Sequence, residues 1–125
     1  MLTLKNCGLA VVFLWFMGGG IAHFVIPEFF TSIMPPAIPW HLELVYLTGV
    51  FEILGAVGIL LPSLRQLTGN WLIALVLCVT PVNVYMWLNP ALFPDVPEAF
   101  LSLRLVVQVA LLALIWWCTR TPQAD

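Results

Sequence analysis

Charge is scarce in this chain: four Lys and Arg and six Asp and Glu among 125 residues, a formal net of −2. That scarcity gives no footprint for nucleic acid, which needs clustered cations to neutralise phosphates. It also excludes an ordinary soluble domain, because 62% hydrophobic against 8% charged residues cannot cover a surface with polar groups. Paired cysteine is missing as well. Cys7, Cys78 and Cys118 are isolated, with no CxxC, so they read as small buried hydrophobes rather than a thiol-redox pair. Heptads, low-complexity tracts and long repeats are absent too, which excludes coiled coils and solenoids.

What remains is apolar sequence, interrupted at few places. Four runs, residues 7–26, 42–61, 67–88 and 99–118, each approach the roughly 20 residues that cross a bilayer. The expected fold is therefore all-α: a single transmembrane domain over residues 1–125, built as an integral membrane four-helix bundle. The links are short. Pro27 to His41 carries Pro27, Pro35, Pro36 and Pro39, which remove backbone donors and disfavour helix before them, so an ordered irregular cap is expected. Pro62 to Gln66 reads as a tight turn, and Asn89 to Glu98 again gathers prolines. No link is long enough for a catalytic domain.

Lys5, Arg65 and Arg120 fall on one side of a four-span arrangement, while Glu28, Glu43, Asp95 and Glu98 flank the other. Positive residues mark the cytoplasmic side, so both termini are expected to be cytoplasmic. A rival reading takes Lys5, the first apolar run and Gly20-Ile21-Ala22 as a signal peptide with a small-residue cleavage site. That run is long for such a peptide, and its loss would leave Arg65 and the C-terminus harder to place.

The informative residues are the polar ones inside the runs. Glu52 lies ten residues after Leu42, ~15 Å below the outer boundary at 1.5 Å per residue, near the midplane. Asn83 and Arg104, each five residues from the outer end of a run, lie ~8 Å deep, and His23 is shallower. Each span thus sends one polar side chain into the outer half, which suggests a pocket opening outward. Gln108, one turn below Arg104, extends the polar lining. Glu52 and Arg104 are the expected ion pair, since a lone charge in hydrocarbon is costly and bundles resolve it by pairing. Both side chains lean outward along parallel spans, so a water or Asn83 is a candidate bridge. The bland alternative is a device that sets helix register and performs no chemistry.

Gly49, Gly55 and Gly58 recur around Glu52, and Gly18, Gly19 and Gly20 precede His23; small residues let helices approach. Pro81 is expected to kink the third span before Asn83. His23, Glu28, His41 and Glu43 gather near the outer mouth in sequence, but without a metal-ligand spacing, so no metal is expected and interfacial capping or pH-responsive hydrogen bonding is the preferred reading. Trp40, Trp71, Trp87, Trp116 and Trp117 sit near span ends, as an interfacial belt requires, with Trp15 deeper.

Five pieces in order, Gly20-x-x-His23-Phe24-x-x-Pro27, Met34-Pro35-Pro36-x-x-Pro39, Gly49-x-x-Glu52-x-x-Gly55, Pro81-x-Asn83-x-Tyr85-Met86 and Arg104-x-x-x-Gln108, resemble the DoxX family of small four-helix bacterial inner-membrane proteins. The resemblance spans nearly the whole chain; Val82 stands where relatives often have alanine. It implies a multi-pass protein of the bacterial cell inner membrane and points toward redox systems, since the family name comes from a subunit of a thiosulfate:quinone oxidoreductase and other relatives are linked to redox or thiol-stress complexes. The lack of paired cysteines separates this chain from the thiol-redox relatives.

Three functions are carried forward. The first is an accessory subunit of a quinone-linked membrane redox system, rather than a self-sufficient enzyme, with a quinone headgroup held among His23, Glu52, Asn83, Arg104 and Gln108 and walled by Phe24 and Tyr85. Its partners would be the lipid bilayer and a redox complex or further copies of the chain. The second is a small proton-linked transporter titrating Glu52, against which the chain has no inverted repeat. The third is a non-catalytic scaffold or assembly factor.

Overall fold

The computed structural model describes residues 3–120, and among them there is helix but no strand. Helix α1 runs Leu4–Val25, α2 is a short piece at Pro27–Ser32, α3 runs His41–Gly58, α4 Arg65–Leu88 and α5 Glu98–Thr119, with one turn of 3₁₀ helix at Pro90–Leu92 between the last two. The four long helices are each long and apolar enough to cross a membrane. Their outer faces agree with that: Leu14, Leu54, Leu77, Val106 and Val109 are all exposed, an apolar exterior that water would not tolerate over so large an area.

Local chemistry sets the helix ends. Thr3 caps α1 by accepting from the Asn6 amide at 3.1 Å, satisfying one of the orphan donors of the first turn. Helix α3 stops at Gly58, short of the Leu61 limit expected from hydropathy, because Pro62 disfavours helix before it. The carbonyls released there are met by Arg65, whose Nε donates to Ile59 O at 2.7 Å. Pro81 lies inside α4, which continues through it to Leu88; Thr80 beside it donates to Val76 O at 2.9 Å.

The helices pack in the cyclic order α1, α3, α4, α5, with α1 against α3 and α4 against α5 forming the most intimate pairs. In the first pair the approach is set by Gly20 and Gly49. A Cβ on Gly20 would lie 2.9 Å from Gly49 O, and one on Gly49 would lie 2.7 Å from His23 Cβ, so only glycine admits this separation. Between the pairs, contact is closest toward the end that carries Lys5, Arg65 and Arg120, the basic end. There α5 reaches Gly8 through Cys118 and α4 reaches Gly58 through Thr68. The main core fills this half, with Val12, Phe16, Ala56, Ile59, Leu72 and Ile115 buried together.

Toward the acidic end the two pairs separate, and the segment after α1 closes the gap. Ile33 buries itself against Met86 and Leu101, which ties this cap to the far ends of α4 and α5. His41 Nε2 lies 3.0 Å from Pro35 O, folding the cap back onto the start of α3. Trp40, at the junction, takes φ 53°, a left-handed conformation that costs a bulky residue about 1–3 kcal/mol. The cap is thus ordered, as its prolines suggest, and it contains a helical turn at Pro27–Ser32 that Pro27 can open because its missing N–H is not needed there.

Candidate functional site

A cavity of about 770 Å³ occupies the space where the helix pairs separate, and His23, Glu52, Asn83, Arg104 and Gln108 all line it. Phe16, Leu75, Val76 and Leu111 form its apolar floor, and Phe30, Ile33, Met34 and Ile38 of the cap form its roof. Trp15, Phe100 and Leu103 stand at its side with 50%, 48% and 51% of their surface exposed. The polar residues therefore form a belt inside an otherwise apolar chamber whose flank between α1 and α5 is lined by lipid-type side chains.

The belt has two separate halves. On the α1–α3 side, His23 Nδ1 lies 2.6 Å from Gly19 O. A carbonyl only accepts, so Nδ1 carries the hydrogen and donates it along the helix. Glu52 Oε2 lies 3.1 Å from the same nitrogen but out of line with that N–H, and this buried oxygen has no hydrogen-bond partner. Phe30 of the cap stacks on the His23 ring at 3.9 Å between centroids, fixing its plane.

On the α4–α5 side the polar groups satisfy one another. Arg104 donates to Asn83 Oδ1 at 2.9 Å, Asn83 Nδ2 donates to Gln108 Oε1 at 2.6 Å, and Gln108 Nε2 donates to Thr80 Oγ1 at 2.7 Å. Thr80 passes the chain on to the backbone of its own helix. This is a continuous relay from a guanidinium to a carbonyl, of the kind that holds side chains in one orientation.

The structure corrects two expectations. The Glu52–Arg104 ion pair is not formed: α3 and α5 occupy opposite corners of the bundle, so Glu52 meets His23 and Arg104 meets Asn83, the residue foreseen as a bridge. Phe24 and Tyr85 are not cavity walls. Phe24 stacks on Tyr46 at 5.4 Å and Tyr85 meets Phe93 edge-on at 6.1 Å; the aromatic walls are Trp15, Phe30 and Phe100. Among the described residues no three His, Cys, Asp or Glu side chains gather as metal ligands would. Thr80 escaped the sequence reading because a helical threonine ordinarily spends its hydroxyl on the preceding turn; its place one turn before Asn83 and beside Pro81 was the available signal.

Cys7 and Cys78 are exposed and Cys118 is buried, and all three are free thiols. Only Cys118 behaves as the buried hydrophobe that the sequence suggests for all three.

Comparison with curated proteins finds no match, and comparison with solved structures finds none either. The family model that does match carries no assigned activity and spans both halves of the polar belt, covering residues 10–119: the chain belongs to the family described as Domain of unknown function (DUF8561).

Proposed function

We propose that this chain is a multi-pass protein of the bacterial inner membrane, with both termini cytoplasmic, that binds the headgroup of a lipophilic quinone in its bundle cavity and serves a membrane redox system as an accessory subunit. The observation that carries this reading is the two-sided polar belt, with Glu52 and His23 on one side and Arg104, Asn83 and Gln108 on the other lining one apolar cavity. A quinol offers hydroxyl donors at opposite ends of a flat ring. One hydroxyl can donate to the Glu52 carboxylate, and the oxygen of the other can accept from the Arg104 guanidinium beside Asn83 and Gln108. An apolar chamber flanked by exposed aromatic and aliphatic side chains suits the ring and its tail. The redox context of this proposal rests on the resemblance of the sequence motifs to those of the DoxX family.

A second reading draws on a different observation. The relay from Arg104 to Thr80 is complete without a ligand, as a scaffold that only locks α4 to α5 would require. Photo-crosslinking in membranes with a tailed quinol analogue separates the two. Labelling near Trp15, Phe30 or Phe100 that disappears in Glu52→Gln and in Asn83→Leu supports the binding site. Labelling indifferent to both substitutions leaves the scaffold.

A further inference from the structure

The far end of the bundle holds a second chamber, of about 540 Å³, and its lining gathers Lys5, Arg65 and Arg120. These are three of the four cations in the whole chain, and among the described residues the lining includes no carboxylate. Like charges brought together without a counter-charge repel, so the arrangement is unfavourable unless an anion joins it.

Each cation is only partly engaged by the protein. Lys5 makes no hydrogen bond or ion pair with a described residue. Arg65 turns Nε to Ile59 O and its fork toward Leu60 O at 3.4 Å. Arg120 donates to Asn70 Oδ1 at 2.6 Å and to Thr119 Oγ1 at 3.4 Å and lies over the Trp116 ring at 4.1 Å, which orients the guanidinium, yet its buried Nε has no hydrogen-bond partner among the described residues. The remaining walls add hydroxyl and amide groups from Thr3, Asn6 and Thr119 beside apolar Leu4, Leu9 and Pro62. The N-terminal ends of α1 and α4 open into the same space through Leu4 and Arg65, and helix N-termini favour negative charge.

We propose that this chamber binds a phosphate-bearing anion, and that its source is the headgroup of an anionic membrane lipid. Two arginines and a lysine match the several oxygens of a phosphodiester. The apolar wall accounts for the part of a lipid that inorganic phosphate lacks, and basic pockets between membrane helices are suited to such headgroups. The site is independent of the cavity at the acidic end and shares no residue with it.

The test uses the purified full chain in detergent, with thermal unfolding and native mass spectrometry as readouts and phosphatidylglycerol, phosphatidylcholine and inorganic phosphate as probes. Phosphatidylglycerol is expected to raise the unfolding midpoint and remain bound in the gas phase, while phosphatidylcholine does neither. Lys5→Gln is the decisive variant, because its ammonium supports no contact of the fold; it is expected to weaken phosphatidylglycerol binding about fivefold, the share of one cation near a charged headgroup, and Lys5→Arg to restore it. Arg120→Gln should weaken binding at least as much. A midpoint shift of equal size with inorganic phosphate would keep the anion site and overturn the lipid source. Equal response to phosphatidylcholine, no response to any probe, or a phosphatidylglycerol response unchanged in Lys5→Gln and Arg120→Gln would overturn the proposal.

Discussion

The Glu52 carboxylate stands 3.1 Å from His23 Nδ1 on the neighbouring helix, while the hydrogen on that nitrogen is directed to Gly19 O at 2.6 Å. The two side chains are therefore neighbours without being fully paired. Close approach of α1 and α3 at Gly20 and Gly49 produces this juxtaposition, so the packing of one helix pair positions the acidic half of the site.

Energetic coupling should follow the observed contacts rather than formal charge. A double-mutant cycle of Glu52→Gln with Arg104→Gln, followed by unfolding in detergent, is expected to be additive, because the two side chains belong to different helix pairs. The cycle of Asn83→Ala with Gln108→Ala is expected to show coupling of about 0.6–1.7 kcal/mol, the range for hydrogen bonds between membrane helices. Strong coupling in the first cycle and none in the second would contradict the geometry.

Glycine positions should sort by space. Gly49→Ala places a Cβ against His23 and Phe24 and is expected to destabilise by about 1–3 kcal/mol, as overpacking does. Gly18→Ala meets nothing within 4 Å and is expected to be neutral or stabilising by up to about 1 kcal/mol, the helix propensity difference. Thermal unfolding of the two variants side by side checks the order.

The long helices were legible because apolar runs of spanning length permit little else, and the polar belt was legible because its members interrupt those runs. Azimuth was not. Depth along a span follows from residue number, but which neighbour a side chain meets depends on helix order around the bundle, and placing α3 diagonal to α5 separates Glu52 from Arg104. The same angle removes Phe24 from the site: one residue beyond His23 turns ~100° around the helix, carrying its ring onto Tyr46. Gly49, Gly55 and Gly58 read as one drifting stripe, and the drift proves large enough to present Gly49 to α1 and the other two to α4.

The proposed orientation, with both termini cytoplasmic, rests on Lys5, Arg65 and Arg120 gathering at one end, since positive residues favour the cytoplasmic side. A fluorescent reporter fused after Asp125 and another inserted at Ser63 should both be bright. Phosphatase inserted at Asp95 should be active. Phosphatase activity after Asp125 would invert the arrangement.

Ligand entry should occur from the bilayer rather than through the cap. The roof is held by Ile33 in its own buried cluster with Met86 and Leu101, whereas Trp15, Phe100 and Leu103 at the flank are about half exposed. A tail can remain among lipids while the headgroup reaches the belt. Trp15 is then the natural reporter, since it lines the cavity and the other tryptophans do not. In nanodiscs, a tailed quinone should quench the protein's fluorescence saturably, and Trp15→Phe should remove more of that quenching than Trp117→Phe, which alters an exposed ring outside the cavity. For the reduced, quinol form, whose hydroxyl donates to the carboxylate, Glu52→Gln should shift the saturation to higher concentration without changing the unliganded emission. Equal quenching loss in the two tryptophan variants would mean that the quinone is only dissolved in the surrounding lipid.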